Sequence, residues 1–293
     1  MAIKLGGGGG SASQIDEVVF LNNAASVVTL DDERVYLKGG VYETTLSTYP
    51  DATPTYIHDG TVIDLSGAFT TEEGVVWDGS YFWVVGAMSN MHDRVAKYDA
   101  SGTYQNVLFY LGGSAERGTS RDVTWDGTYF WVIFTNGTVN KYNASGTYQA
   151  TFSTASQTSD ASGITWDGSH LWVVDRGSDY VYKYNSSGVY QNVSFDADPL
   201  YYPRGIVADG SDFWVVDDGY NKAIKYNSSG VMQQAFRLTD NIITGIAKVG
   251  SNLWISSTTY GLRKYVPALG IETYTATTNN GQQAEGNNYV RVK

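Results

Sequence analysis

Two aspartates, Asp175 and Asp217, are the side chains of this sequence best suited to acid–base chemistry. Two carboxylates facing each other across a channel mouth can hydrolyse a glycosidic bond, which keeps a glycosidase or glycan depolymerase as an alternative function. Together with Asp218 they could also offer oxygen ligands to Ca²⁺, although the spacing of known calcium loops is absent. Calcium is therefore kept as an alternative, and no metal site and no cofactor is predicted.

A second set of side chains is suited to recognition. Tyrosines provide flat faces for sugar rings, while arginine and aspartate provide directional hydrogen bonds. These residue types are concentrated in segments that differ between the copies of a repeat. The residues predicted to bind a ligand are Tyr201, Tyr202, Tyr220, Arg176, Arg204 and Asp217.

Other signs of catalysis are missing from the sequence. The three histidines, His58, His92 and His170, have no acid–base partner at the spacing of a known motif. A nucleophile elbow, a zinc-binding triad and a phosphate-binding loop are all absent. We therefore predict a binding protein that is not an enzyme.

A repeated phrase determines the fold. Gly-Val-Val-Trp-Asp-Gly-Ser-Tyr-Phe-Trp-Val-Val at 74–85 recurs at 122–133 and 163–174, and more loosely at 205–216 and 245–256. A Lys-Tyr pair and a Gly-containing turn follow each copy. Every repeat thus divides into four short runs of strand-forming residues separated by Asp-Gly and Ser-Gly turns. Four strands in about 41 residues is the pattern of a β-propeller blade.

The spacing and turn pattern over about 53–276 resemble the NHL and YVTN classes of propeller, a resemblance that implies architecture only. We predict an all-β protein with a five-bladed propeller, a six-bladed ring being the alternative. An additional outer hairpin precedes the first full blade, and an open sheet edge is unfavourable. Residues 61–69 are therefore predicted to supply the outer strand of the last blade.

The repeated tryptophans are predicted to pack between blades. In a four-stranded blade, the turns between strands one and two and between strands three and four share one face of the disc. Here those are the tight, repeated turns, so the variable segments lie on the opposite face. These segments include 87–94 with His92, 112–121, 175–180, 196–204 and 217–221. Because repetition marks the scaffold, function is predicted where the copies disagree.

The ends of the chain carry a second resemblance. The start Met-Ala-Ile-Lys-Leu, the segment Val-Tyr-Leu-Lys-Gly-Gly-Val-Tyr-Glu at 35–43 and the ending Tyr-Val-Arg-Val-Lys resemble tail-fibre and other virion-surface proteins of tailed bacteriophages. The resemblance implies that 1–52, a Gly-rich leader with a small β module, attaches to other virion proteins. The propeller at 53–276 would then face outwards, with 277–293 as an extended tail.

These observations give the predicted function and its alternatives. The propeller is predicted to be an adhesin that binds a glycan or protein on the host surface, and a capsid or tail decoration protein making only protein contacts is the alternative. The expected location is the virion surface, after synthesis in the bacterial cytoplasm without a signal peptide. A homotrimer is among the expected assemblies. Because the formal net charge is −11, nucleic acid is not an expected partner, and no apolar run is long enough for membrane insertion.

Overall fold

The computed structural model describes side chains at residues 56–65, 69–87, 93–111, 118–239 and 242–267, and backbone strands alone at both ends of the chain. The chain forms two compact units, one of residues 1–57 with 267–293 and the other of residues 58–266. Among the described residues, no helix has the length and apolar character needed to cross a membrane. The roles assigned to 1–52, 53–276 and 277–293 stay predictions.

Most strands belong to the second unit. Five strands precede it, namely β1 (Ala2–Ile3), β2 (Glu17–Phe20), β3 (Thr29–Asp31), β4 (Arg34–Leu37) and β5 (Gly40–Ser47). The next strand, β6 (Tyr56–Ile63), joins the last blade of the propeller.

Five four-stranded antiparallel sheets follow, one for each repeat of the sequence. Blade 1 consists of β7 (Thr71–Trp77), β8 (Phe82–Ala87), β9 (Asp93–Tyr98) and β10 (Tyr104–Tyr110). Blade 2 consists of β11 (Ser120–Trp125), β12 (Tyr129–Phe134), β13 (Thr138–Asn143) and β14 (Tyr148–Ser153). Blade 3 consists of β15 (Ala161–Trp166), β16 (Leu171–Asp175), β17 (Tyr180–Tyr184) and β18 (Tyr190–Asp196). Blade 4 consists of β19 (Pro203–Asp209), β20 (Asp212–Asp217), β21 (Lys222–Asn227) and β22 (Met232–Arg237). Blade 5 consists of β23 (Ile243–Val249), β24 (Asn252–Ser257), β25 (Gly261–Pro267) and β6.

The ring closes through blade 5. Its outer strand is β6, so the prediction of closure by an early strand is confirmed, and the five-bladed ring replaces the six-bladed alternative. The strand runs from Tyr56 to Ile63 and not over 61–69, because Asp59 and Gly60 continue the strand and make no turn between two strands. Asp59 contacts Lys264 of β25 at 2.8 Å, and Ile63 is buried.

The first strands of the blades, β7, β11, β15, β19 and β23, form the inside of the ring. Each of them contacts the first strand of the next blade, and β23 returns to β7. All five carry a β-bulge near their beginning. Thr124 and Thr165 link neighbouring inner strands, because their hydroxyl oxygens accept the amide N–H groups of Trp166 and Ala208.

Aromatic packing between blades forms the core. Trp83, Trp131, Trp172, Trp214 and Trp254 are all buried, which confirms the predicted packing role. The rings of Trp83 and Phe130, which belong to adjacent blades, lie 4.7 Å apart, and so do those of Trp172 and Phe213. Such edge and tilted contacts add to the free energy gained by burying the rings.

Two more strands, β26 (Ile271–Thr278) and β27 (Gln283–Val292), belong to the other unit. They pair with each other and complete a seven-stranded sheet with the order β1-β2-β27-β26-β5-β4-β3. The beginning and the end of the chain therefore share one sheet.

Candidate functional site

The strand order separates two faces of the propeller. The turn face carries the connections from the first to the second and from the third to the fourth strand of each blade. The loop face carries the other connections, including those between blades. The two faces are built in different ways.

The turn face repeats one hydrogen-bonded arrangement. In blade 2, Asp126 accepts the amide N–H groups of Thr128 and Tyr129 and, at 2.7 Å, the indole N–H of Trp131. Lys141 lies over the Tyr129 ring, with 3.7 Å from Nζ to the ring centre. Equivalent aspartates in blades 1, 3 and 4 accept the indole N–H groups of Trp83, Trp172 and Trp214. The indole N–H of Trp131 is thus used within its own blade, in a hydrogen bond to Asp126.

Buried carboxylates hold the connections on the loop face. Asp175 accepts the amide N–H groups of Ser159 and Asp160 at 3.0 and 2.6 Å. Asp217 accepts those of Tyr201 and Tyr202 at 3.1 and 2.9 Å. In each case the aspartate ends the second strand of a blade and fixes the segment that leads into the first strand.

This placement corrects the role predicted for Asp217. The residue is completely buried, and its carboxylate is already occupied by three amide N–H groups, with Gly219 as the third donor at 2.8 Å. Asp175 is also completely buried. Asp217 therefore holds the backbone of Tyr201 and Tyr202 and does not face solvent, and the pair lacks the exposed oxygens that a glycosidase or a calcium site needs.

Three of the predicted tyrosines form one exposed cluster. Tyr201, Tyr202 and Tyr220 expose 57%, 42% and 48% of their surfaces. The rings of Tyr201 and Tyr202 lie 4.6 Å apart, and those of Tyr201 and Tyr220 lie 5.8 Å apart. Gly219 allows this packing, because a Cβ atom there would lie 2.7 Å from the Tyr201 ring. We call these three residues the tyrosine cluster.

Arginines lie beside the tyrosine cluster and around the mouth of the ring. The Arg176 guanidinium lies 5.7 Å from the centre of the Tyr202 ring, and it also pairs with Asp160. Arg204 pairs with Asp218 at 3.5 Å. Burial lowers the pKa of Arg204, and the positive charges of Arg121 and Arg176 lower it further. The Arg204 guanidinium is thus near enough to those of Arg121 and Arg176 to be affected by their charges.

Glu73 and Arg121 also belong to this mouth, and the sequence reasoning missed both. They form an ion pair at 3.1 Å that joins blade 1 to blade 2. Burial raises the pKa of the Glu73 carboxyl, and the Arg121 charge opposes the rise. Aligned repeats give a signal for them, since 73, 121, 162, 204 and 244 are equivalent and carry Glu, Arg, Ser, Arg and Thr.

A third missed residue, Asp122, lies deeper on the inside of the ring. It is buried, and its carboxylate accepts amide N–H groups from Val123 at 2.8 Å and from Ile164 at 3.0 Å. Complete burial raises the pKa of Asp122 well above its usual value, and the amide groups that bind it act in the opposite direction. Asp122 occupies the position at which the other four repeats have glycine.

The structure thus brings together Tyr201, Tyr202, Tyr220, Arg176 and Arg204 on the loop face and places Asp217 beneath them. His92 and most of the predicted loop at 112–121 lie outside the described residues.

Comparison with known proteins finds likeness in structure alone. No family model and no curated protein sequence matches this chain. A glutaminyl cyclase from Myxococcus xanthus has a TM-score of 0.54 at 12% identity, covering 67% of this chain and 91% of its own. Regucalcin from Agrobacterium tumefaciens, a calcium-binding protein, has a TM-score of 0.50 at 16% identity, covering 73% and 94%. Virginiamycin B lyase from Staphylococcus aureus reaches 0.45 at 17% identity, covering 82% and 94%.

These likenesses correct the prediction that the chain is not an enzyme, and they agree with the predicted propeller fold. Glutaminyl cyclase is an enzyme, so its likeness overturns the prediction that this chain is not one, since the same fold supports catalysis as well as binding. Identities this low establish the fold and no shared activity. The chain is a five-bladed β-propeller of the general architecture found in these proteins.

Proposed function

We propose that the loop face binds a carbohydrate, and that the preferred sugar carries a carboxylate. The observation that carries this proposal is the exposed tyrosine cluster with Arg176 against the ring of Tyr202. Apolar faces of sugar rings stack on aromatic side chains, and a guanidinium binds a carboxylate through two parallel hydrogen bonds. Nε and Nη2 of Arg176 bind Asp160, which leaves the Nη1–Nη2 edge of the guanidinium for a ligand carboxylate beside the tyrosine cluster.

The neighbouring mouth carries more arginine N–H groups than its own carboxylates use. Arg121, Arg176 and Arg204 pair with Glu73, Asp160 and Asp218. Burial lowers the pKa of Arg204, and the charges of Arg121 and Arg176 lower it further. The buried Nε of Arg204 has no hydrogen-bond partner among the described residues. A carboxylate at the mouth would accept hydrogen bonds from guanidinium N–H groups outside these pairs.

The location of the protein on a virion is a separate part of the proposal. It rests on the sequence resemblance of 1–52 and of the chain ending alone. On a virion, the carbohydrate would be a glycan of the host surface.

A glycan array that pairs neutral sugars with their carboxylated counterparts tests the proposal. We expect retention of carboxylated glycans and a loss of about tenfold in affinity for both Tyr202→Ala and Arg176→Lys, since lysine cannot form the bidentate contact. Tyr148→Ala is the matched control, because Tyr148 is 44% exposed on the outer strand β14. Equal binding of neutral and charged glycans would refute the preference for a carboxylate.

The absence of any glycan binding would refute the whole proposal. Capture of purified virion proteins in its place would then favour a decoration protein that makes only protein contacts. Release of reducing sugar from a bound glycan would add catalysis to the same site.

A further inference from the structure

The inside of the propeller presents a ring of backbone N–H groups. Each inner strand is the edge strand of its sheet, with its blade on one side only. An edge strand has amide groups that no neighbouring strand pairs with, and burying them unpaired is costly. The five inner strands contact one another around the ring, so these groups converge.

The Asp122 carboxylate lies against three blades on the inside of this ring. It accepts amide N–H groups from Val123 of its own blade 2 and from Ile164 of blade 3, and one of its oxygens lies next to Gly74 of blade 1. The bonds from Val123 and Ile164 are 2.8 and 3.0 Å long. A group that contacts three blades from inside the ring lies near the axis of the propeller.

The equivalent glycines allow close approaches on the inside of the ring. A Cβ atom at Gly74 would lie 2.2 Å from an Asp122 carboxylate oxygen, so glycine at this position leaves room for the Asp122 side chain. A Cβ atom at Gly205 would lie 2.7 Å from the Cα of Gly245, and one at Gly163 would lie 2.5 Å from the carbonyl oxygen of Arg204. These two glycines let the backbones of neighbouring blades approach each other.

We propose that the axis of this propeller is an anion-binding site, which the chain fills with its own Asp122 carboxylate in place of a small free anion. Each of the two Asp122 oxygens accepts one amide N–H group, and hydrogen bonds of this kind favour the ionised form and act against the effect of burial. Convergent backbone amides form anion sites in other folds by the same chemistry. Removing the side chain should open the site to a small monovalent anion such as formate or chloride.

Asp122→Gly tests this inference, with formate as the probe because it restores the missing carboxylate. We expect the melting temperature to fall by about 5–15 °C relative to the wild type, since buried donors lose their acceptor. Formate at about ten times its Kd should then raise the melting temperature of the variant by about 3–6 °C and leave the wild type unchanged. Sodium gluconate, whose anion is too large for the ring, keeps the ionic strength constant and serves as the control. Titration calorimetry should show one formate per chain in the variant and none in the wild type.

Asp122→Leu and Asp122→Asn separate charge from volume. Both side chains fill the space that Asp122→Gly leaves empty. Leucine offers no hydrogen-bond acceptor, and asparagine turns its NH2 group towards the backbone N–H groups. We expect both to melt below the wild type and neither to respond to formate. Equal stability of Asp122→Leu and wild type would show that the axis needs only volume, and would overturn the proposal. A folded Asp122→Gly that ignores both formate and chloride would overturn it as well. If Asp122→Gly does not fold, Asp122→Asn replaces it in the test. A melting temperature of Asp122→Asn equal to that of the wild type would then overturn the proposal.

Discussion

The turn face and the loop face of the propeller use the same residue type, aspartate, for different purposes. On the turn face, Asp126 and its equivalents hold a tryptophan of their own blade in a geometry repeated from blade to blade. On the loop face, Asp175 and Asp217 hold backbone segments whose sequences differ completely. The turn face thus maintains the blades, and the loop face presents variable side chains from fixed positions.

This comparison shows why an irregular loop can still carry a precise site. The segment with Tyr201 and Tyr202 is held by two hydrogen bonds to a carboxylate that is itself buried. Exposed aromatic rings on a fixed backbone lose little conformational entropy when a ligand binds. Variation and rigidity are therefore compatible on the loop face.

The largest effect is expected on the scaffold. Trp131→Ala should lower the free energy of unfolding by about 3–5 kcal/mol, because Trp131 is buried and its removal leaves a cavity between blades. Urea denaturation of both proteins measures the difference. Tyr148→Ala is the control, and a loss for Trp131→Ala no greater than that of the control would contradict the scaffold role.

A smaller effect is expected beneath the tyrosine cluster. Asp217→Ala should lower the free energy of unfolding by about 1–3 kcal/mol, since three amide donors lose their acceptor. Hydrogen exchange should also become faster at Tyr201 and Tyr202. Asp212→Ala breaks a partly exposed ion pair with Lys225 and a long hydrogen bond from the Ser211 hydroxyl, and it should cost less than about 1 kcal/mol. Unchanged exchange in Asp217→Ala would show that the segment is held by other contacts.

The turn face should show a dependence on pH. Although burial opposes it, the hydrogen bonds from Trp172, His170 and Ser169 lower the pKa of Asp167. The carboxylate therefore stabilises the fold above its unfolded pKa of about 4, and this contribution is lost as the pH falls through the lower folded value. Asp167→Asn should melt about 2–4 °C below the wild type at pH 7, and the gap should narrow in melts below about pH 4. A gap of the same size at pH 3 would contradict this assignment.

The smallest effect on stability is expected at the tyrosine cluster itself. Tyr220→Ala should change the free energy of unfolding by less than about 0.5 kcal/mol, because Tyr220 is about half exposed. The same variant should bind a carboxylated glycan more weakly on the array described above. If Tyr220→Ala lost much stability and bound the glycan as the wild type does, Tyr220 would belong to the scaffold. The proposed difference between the two faces would then be wrong.

The sequence was sufficient for the fold because one repeat dictates one blade. The turn glycines and the alternating aromatic strands specify local structure, and five copies in phase specify the ring. The exact extent of β6 was not predictable, since Asp59-Gly60 has the form of a turn in isolation. In the structure Asp59 pairs with Lys264, which is distant in sequence, and Asp59-Gly60 is part of a strand.

The candidate site was predictable only in part. The variable segments contain the tyrosines that the structure exposes, together with Arg176 and Arg204, because the blade pattern places these segments on one face. Their role in ligand binding stays a prediction. The burial of Asp217 was not predictable. The sequence is the same whether an aspartate at the end of a strand faces solvent or accepts hydrogen bonds from a neighbouring backbone segment. Asp122 was visible as the exception among four glycines, but its contacts with blades 1 and 3 depend on how the blades pack around the ring.

The strand β6 has a consequence for how the propeller folds. Its partner β25 lies at the other end of the propeller sequence, so blade 5 cannot be completed until all other blades have been synthesised. Pairing across so long a separation is slow, and during that time the edge of blade 5 is open. Another copy can supply its own β6 to that edge and form an exchanged dimer. Refolding at rising protein concentration, followed by size-exclusion chromatography, would show whether the last strand finds its own blade first.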